Sequence, residues 1–226
     1  MVGQAAKGKA AVQRSISLPS LVAPERAGQA LQKEFDLIED TLVVVPELAV
    51  LTRPGAISRR AELPVVEEAV RAFRPVVGID APGTLDGGDV LQIGRHLLVG
   101  QSSRSNSEGI GQLRAHLAPH GYTVEALQVA GCLHLKSACS LATPDRVLVN
   151  PEWVDREAFD VDIIEVDPRE PDAANVLLLD NLVLADPRFP HTIARLRAEG
   201  IEVREVPNDE LAKAEAALTC CSVILH

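Results

Sequence analysis

Three short motifs, far apart in the chain, carry side chains that could act together on a substrate. They are Leu-Asp-Gly-Gly-Asp at 85–89, Leu-His-Leu-Lys-Ser at 133–137 and Leu-Thr-Cys-Cys-Ser at 218–222. A thiol, an imidazole and a carboxylate are the parts of a cysteine nucleophile with a proton shuttle. Papain-like proteases place the cysteine before the histidine, whereas here Cys220 follows His134. The order of the motifs therefore indicates a different class of cysteine enzyme.

Composition argues against several classes of function. The 226 residues carry a net charge of −10 with a pI near 5.1, and Lys and Arg do not cluster beside aromatic side chains. This balance disfavours nucleic acid as a partner and suits small cationic ligands. No apolar stretch reaches the roughly 18 residues that a membrane span needs, so no membrane partner is expected. Because residues 1–11 lack the apolar core of a secretory signal, we expect a cytoplasmic protein with four reduced cysteines.

The apolar segments between these motifs follow a repeating pattern with a period of roughly 40 to 50 residues. A polar residue precedes an apolar strand, and a turn, a second strand, a helix and a third strand follow. The predicted segments, in chain order, are strands 42–45 and 49–52, helix 60–73 and strand 76–79; strands 90–93 and 96–99, helix 107–117 and strand 123–127; strand 146–149, a short helix near 154 and strand 163–164; strands 176–179 and 182–185, helix 190–199 and strand 203–206; and helix 209–217 with a strand in 219–225.

Units of this kind cannot bury their own apolar faces, so they must pack against one another. We predict an α/β fold, a five-bladed propeller of ββαβ units around a central channel. Equivalent strand starts then meet at one mouth, which would gather Asp40, Asp89, His134 and Cys220. A plain α/β sandwich with chance spacing is the alternative. Residues 31–226 are expected to form this single domain, and residues 1–30 to be poorly ordered.

At these motifs the chain resembles the dimethylarginine dimethylaminohydrolases, members of the pentein superfamily of guanidine-modifying enzymes. Six segments match in order and extend over most of the chain from residue 37 onward, namely 39–40, 52–60, 85–90, 100–106, 133–137 and 218–222. The resemblance implies the propeller fold without a cofactor. It also implies hydrolysis of methylated arginine to citrulline and dimethylamine or methylamine.

The same resemblance implies a role for individual residues. Cys220 would attack the guanidinium carbon to form a thiouronium intermediate. His134 would protonate the departing amine and then activate water, with Asp86 orienting its ring. The implied substrate-binding residues are Glu39, Asp40, Arg59, Arg104, Glu34 and Ala214, of which the two arginines would hold the α-carboxylate. These types suit the task, because carboxylates pair with a guanidinium and arginine grips a carboxylate with two donors.

Lys136 bears on the choice of substrate. Arginine deiminases, a sister family that this architecture also resembles, have an aspartate two residues after the histidine, where Lys136 stands here. The missing carboxylate leaves fewer acceptors for an unmodified guanidinium, which favours methylated arginine over arginine. Two alternatives stay open: another guanidine-modifying hydrolase of the arginine deiminase kind, and a catalytically impaired homologue that binds guanidines.

The resemblance weakens before residue 37. The family's first strand, flap loop and Pro-Asp turn find no clear match, and Glu34 stands where the family has a binding aspartate. We therefore expect an incomplete first blade with impaired substrate binding, and open edges that favour a homodimer. The cysteines fit no structural zinc motif, whereas Cys220 and His134 together suit an inhibitory zinc ion.

Overall fold

The computed structural model describes residues 14–16, 38–208 and 216–225, and it has the predicted mixed α/β architecture. Its strands are β1 (Arg14–Ile16), β2 (Leu42–Val44), β3 (Ala49–Leu51), β4 (Val76–Gly78), β5 (Val90–Ile93), β6 (His96–Gln101), β7 (Thr123–Gln128), β8 (Cys139–Thr143), β9 (Arg146–Val149), β10 (Asp162–Glu165), β11 (Leu177–Leu179), β12 (Leu182–Ala185), β13 (Glu202–Glu205) and β14 (Val223–Leu225). Its α-helices are α1 (Leu63–Arg71), α2 (Ser107–Leu117), α3 (Leu135–Ala138) and α4 (Pro190–Ala198).

The strands form one small sheet for each repeated unit. Four sheets have three strands each, in the orders β2-β3-β4, β5-β6-β7, β8-β9-β10 and β11-β12-β13. In every one the first two strands are antiparallel and the last two are parallel. A fifth sheet pairs β1 with β14 in antiparallel register. Residues of β2, β5, β8, β11 and β14 line one cavity of about 390 Å³, so the first strands surround a common channel.

The helices cover the outer faces of the sheets because their apolar residues recur at helical spacing. In α2, Ile110, Leu113 and Leu117 are fully buried and pack with residues of both the first and the second unit. The side chain of Asn106 caps this helix by accepting a hydrogen bond from the Gly109 N–H at 2.8 Å. Neighbouring units therefore share their cores.

The structure differs from the sequence prediction in the third unit. Strand β8 was not predicted, because Cys-Ser-Leu-Ala-Thr has only one β-branched residue and lacks aromatics. The helix predicted near residue 154 is only a 3₁₀ turn at Arg156–Ala158. Strand β1 lies within the segment 1–30, where the sequence predicts little order.

Parts of the prediction fall outside the described residues. These are Glu34, Ala214 and most of the predicted helix at 209–217. Within the described ranges, no helix combines the length and the apolar character that crossing a bilayer would require.

Candidate functional site

Three 3₁₀ turns, each just before a strand that lines the channel, meet at one end of the channel. They are Ile38–Thr41, Gly87–Asp89 and Thr219–Cys221, and the first contacts the other two. Helix α3, which begins directly after His134, contacts the turn at Gly87–Asp89. The repeat thus brings five of the predicted site residues to one region of the molecule, namely Glu39, Asp40, Asp86, His134 and Cys220.

His134 and Asp86 form the predicted imidazole–carboxylate pair. The Nε2 atom of His134 lies 3.0 Å from Oδ2 of Asp86. Asp86 is buried, and its other oxygen accepts a hydrogen bond from the Gly55 N–H at 2.8 Å. Its own N–H donates to Oγ of Ser105 at 3.0 Å. These contacts leave the carboxylate little freedom, so the imidazole ring is held in one orientation.

The charges around His134 favour its protonated form. Burial lowers the pKa of His134, but the hydrogen bond to Asp86 and the charges of Asp40 and Asp89 outweigh burial and raise it above its ordinary value. A histidine with a raised pKa keeps its proton at neutral pH to a greater extent than a free imidazole. The ring is therefore suited to donate a proton to a leaving group.

Asp40 lies between His134 and Arg59. Its Oδ1 accepts a hydrogen bond from the Gly88 N–H at 3.1 Å and is 3.9 Å from Nε2 of His134. Its Oδ2 is 3.0 Å from Nη1 of Arg59, which also pairs with Glu62. Burial lowers the pKa of Arg59, but Glu62 and Asp40 together raise it. Arg59, predicted to hold a substrate carboxylate, therefore has its guanidinium on two protein carboxylates.

Glu39 joins the turn of Cys220 to the segment that follows His134. Its Oε1 accepts a hydrogen bond from Nζ of Lys136 and its Oε2 accepts one from Oγ1 of Thr219, both at 2.8 Å. Burial raises the pKa of Glu39, although Lys136 partly offsets this effect. Both oxygens of this predicted substrate ligand are thus engaged by the protein, and Glu39 lines the channel cavity together with Lys136 and Thr219.

Cys220 lies in the last of the three turns. Its N–H donates to the Ala217 carbonyl at 3.2 Å, and its Sγ accepts from the Ala217 N–H at 3.5 Å. Burial, followed by the charges of Glu39 and Asp40, raises the pKa of Cys220 to about 12. The sulfur is therefore a protonated thiol at neutral pH unless a cation enters its surroundings.

Asp89 accepts hydrogen bonds from both the loop of Arg104 and the segment that follows His134. This fully buried carboxylate accepts hydrogen bonds from Oγ of Ser102 and of Ser105, each at 2.6 Å, and from the Leu135 N–H at 3.0 Å. Oγ of Ser102 in turn accepts from the Arg104 N–H at 3.0 Å. Among the described residues, Arg104 has no side-chain hydrogen bond or ion pair, and its side chain is half-buried. Its guanidinium is free to bind an anion.

Two glycines permit the close packing of these turns. A Cβ atom on Gly87 would lie 2.0 Å from the carbonyl oxygen of Glu39, and one on Gly88 would lie 2.7 Å from Oδ1 of Asp40 and 3.0 Å from the His134 ring. The distances of 2.0 and 2.7 Å are shorter than a Cβ atom can adopt. The Gly-Gly step in the motif at 85–89 is therefore a requirement of the site's geometry.

Replacing Gly87 with alanine is expected to destabilise the protein. The added methyl group would meet backbone rather than a movable side chain, so we expect the free energy of unfolding to fall by about 3 kcal/mol. Urea unfolding followed by circular dichroism measures this change. Gly111→Ala is the matched control, because a Cβ atom there meets nothing within 4 Å. Since alanine favours a helix over glycine, we expect this variant to raise the free energy of unfolding by up to about 1 kcal/mol. Equal effects of the two variants would contradict the prediction.

Four polar residues of the site received no positioning role from the sequence: Lys136, Asn175, Thr219 and Ser105. Asn175 donates from Nδ2 to the Lys136 carbonyl at 2.9 Å and to Oγ1 of Thr219 at 3.0 Å. Asn175 stands shortly before the first strand of its unit, as Asp40 and Asp89 do in theirs. The position within the repeat was the signal that could have found it.

One group in the site has the chemistry of metal ligands. Asp40, Asp86 and His134 offer ligand atoms that all lie within 4.8 Å of one another. This set differs from the Cys220 and His134 pair predicted to hold zinc. None of the four cysteines, all of which lie within the described ranges, forms a disulfide bond.

Known proteins share the sequence and the fold. Residues 64–176 match the family model of arginine deiminase. The N(G),N(G)-dimethylarginine dimethylaminohydrolase of Streptomyces coelicolor is 41% identical over 190 residues, which cover 84% of this chain and 73% of that protein. Its namesake from Pseudomonas aeruginosa is 34% identical over 189 residues, which cover 82% and 74%.

The structures agree with this similarity. The P. aeruginosa enzyme, solved as a cysteine-to-serine mutant in complex with citrulline, superimposes with a TM-score of 0.80 at 33% identity, over 84% of this chain and 75% of that one. The N-terminal domain of a cyanobacterial arginine dihydrolase has a TM-score of 0.74 at 20% identity, over 84% and 75% of the two chains. The second likeness concerns the fold alone.

Proposed function

Because this chain belongs to the dimethylarginine dimethylaminohydrolase family of the pentein superfamily, it is a hydrolase of C–N bonds in amidines, and we propose that its substrate is an Nω-methylated arginine. The proposal rests on the His134–Asp86 pair, which lies beside the acidic turn Ile38–Thr41. That turn also contacts the turn of Cys220. The carboxylates of that turn match the charge of a guanidinium, which is planar, cationic and rich in hydrogen-bond donors.

The proposed reaction divides the hydrolysis into two steps. The thiol of Cys220 loses its proton to solvent as the substrate cation binds, and the resulting thiolate attacks the guanidinium carbon. The C–N bond to the methylated nitrogen breaks as His134 gives that nitrogen its proton. Dimethylamine or methylamine leaves, and the carbon remains bound to sulfur as a thiouronium. His134, now neutral, takes a proton from water, whose oxygen attacks the same carbon. The C–S bond then breaks, the proton of the new hydroxyl group returns to the sulfur, and citrulline leaves.

The raised pKa of Cys220 gives the bound substrate a role in forming the thiolate. A thiol whose pKa is raised by burial and by Glu39 and Asp40 does not ionise alone. A bound guanidinium would place a positive charge among the same groups and lower the pKa of the thiol. The nucleophile would thus form mainly when the substrate is present.

Arg104 is the best-placed ligand for the α-carboxylate of the substrate. Its backbone is held by Ser102, and Gly55 packs directly against its main chain. Arg59 would share this task only by turning part of its guanidinium away from Asp40. Glu34 and Ala214 stay predicted substrate contacts.

Arginine is the competing substrate, and Lys136 argues against it. Nζ of Lys136 lies 2.8 Å from Oε1 of Glu39 and neutralises its charge. Lys136 also stands where the arginine deiminases, which this chain resembles, carry an aspartate. Citrulline release should therefore be compared for dimethylarginine, monomethylarginine, arginine and agmatine. We expect turnover of the methylated compounds only. Turnover of arginine at an equal rate would favour a deiminase, and binding without turnover would favour an impaired homologue.

Zinc is expected to inhibit the enzyme by taking the lone pair of His134. The ligand atoms of Asp40 and Asp86 lie within 4.8 Å of that ring, and we propose Cys220 as a further ligand. Stoichiometric zinc should abolish turnover and a chelator should restore it. An unchanged rate in the presence of zinc would contradict this expectation.

The predicted homodimer and cytoplasmic location stay predictions, and light scattering tests the homodimer.

A further inference from the structure

Asn175 uses nearly all of its hydrogen-bonding capacity between two segments of the site. Nδ2 donates to the Lys136 carbonyl at 2.9 Å and to Oγ1 of Thr219 at 3.0 Å, and Oδ1 accepts from the Thr219 N–H at 3.3 Å. The residue is buried, with 8% of its surface exposed. Lys136 lies two residues after His134, and Thr219 lies directly before Cys220.

The directions of these bonds form one ordered chain. The Thr219 hydroxyl gives its proton to Oε2 of Glu39 at 2.8 Å, so it must accept at its lone pair from Asn175. The Lys136 carbonyl can only accept. Reversing the amide would place Oδ1 of Asn175 against the carbonyl oxygen of Lys136 and leave the Thr219 N–H without an acceptor. Only a neutral amide in this orientation satisfies both segments.

We propose that Asn175 is a positioning residue that fixes the turn of Cys220 relative to the segment of His134. The inference rests on the proposed function, in which these two side chains act on one carbon atom. Asn175 would touch neither the substrate nor the reacting atoms. Displacing a reacting group by about 1 Å can lower the rate by about 10²-fold, so the bridge should matter for turnover more than for substrate binding.

Aspartate at this position provides a selective test. The ionised carboxylate of the Asn175→Asp variant could only accept, so it would repel the Lys136 carbonyl and draw the Thr219 hydroxyl away from Glu39. When protonated, that carboxyl group would regain one donor. We expect Asn175→Asp to lower kcat by about 10- to 100-fold near neutral pH, with little change in KM. The loss relative to the natural protein should become smaller as the pH falls towards about 5.

Asn150 offers a matched control. It is buried, donates from Nδ2 to the Pro171 carbonyl at 2.9 Å and accepts the Glu152 N–H at 3.0 Å. Within the part of the chain that the structure describes, its side chain makes no hydrogen bond to the three turns of the site. Asn150→Asp makes the same atomic change. We expect it to lower thermal stability while leaving kcat and its pH dependence close to those of the natural protein. Should Asn175→Asp fail to fold, the smaller, neutral Asn175→Ser variant replaces it in the kcat comparison, with Asn150→Ser as control.

The second readout is the labelling of Cys220 by a chloroacetamidine reagent, followed by mass spectrometry. We expect labelling to slow at least tenfold in the Asn175 variant and to stay unchanged in the Asn150 control. Equal kcat and equal labelling in both variants would overturn the inference. If the natural protein released no citrulline from methylated arginine while labelling still depended on Asn175, the proposed substrate would fail and the positioning role would stand.

Discussion

The Cys220→Ser variant is expected to lose at least about 10³-fold in kcat for dimethylarginine. A serine hydroxyl is a much weaker nucleophile than a thiolate, and a bound guanidinium cannot lower its pKa enough to compensate. Substrate binding should survive, because the carboxylates of Glu39 and Asp40 are unchanged. Initial rates of citrulline formation, with binding measured by calorimetry, check both parts.

Cys221→Ser is the control for this variant. It makes the same change of sulfur to oxygen one residue later, within the same 3₁₀ turn at Thr219–Cys221. We expect its kcat to stay near that of the natural protein. A loss in Cys221→Ser with retention in Cys220→Ser would mean that the second cysteine is the nucleophile, and the proposed assignment would be wrong.

The Asp86→Asn variant is expected to lower kcat by about 10²- to 10⁴-fold and to shift its pH profile. The oxygen of the introduced amide could still accept from the Gly55 N–H, but its NH₂ group would then donate towards Nε2 of His134 and disfavour a proton there. Because Asp86 helps to raise the pKa of His134, its loss lowers that pKa. The acid form of His134 is present below its pKa and lost above it, so the fall in rate at high pH should begin at a lower pH than in the natural protein.

Asp186→Asn provides the comparison for the pH profile. Asp186 is equally buried, but it pairs with Arg188 in the fourth unit. We expect a modest loss of stability and an unmoved profile. If both variants shifted the profile alike, the shift would reflect general loosening of the fold and not the partner of His134.

The repeat was the part of the fold that the sequence predicted best. Val90, Leu91 and their equivalents in β2 and β11 are apolar, and the polar residue before each of these strands marks the unit. Helix α2 was predicted with its observed bounds because its apolar residues recur at helical spacing. Strand β8 was missed because its small and polar residues have weak strand propensity, and its burial comes from contacts with the neighbouring sheets.

The candidate site was predicted in its residue types and in the pairing of Asp86 with His134, but not in its ion pairs. The motifs pointed to Asp86 and His134, and their hydrogen bond confirms that these two residues meet. The ion pair of Lys136 with Glu39 was not predicted, since its partners are 97 positions apart and only the ring brings them together. Likewise, the pairing of Arg59 with Asp40 depends on tertiary distances that no local pattern contains.

The hydrogen bond from Thr219 to Glu39 joins residues 180 positions apart, and this has a consequence for refolding. Bringing such distant parts of a chain together costs roughly 5 kcal/mol of loop-closure entropy, which only the completed ring offsets. Contacts of this range slow folding. After dilution from denaturant, the helical circular dichroism signal should therefore return before enzymatic activity. The rate at which turnover recovers would report how fast the first and last units come together.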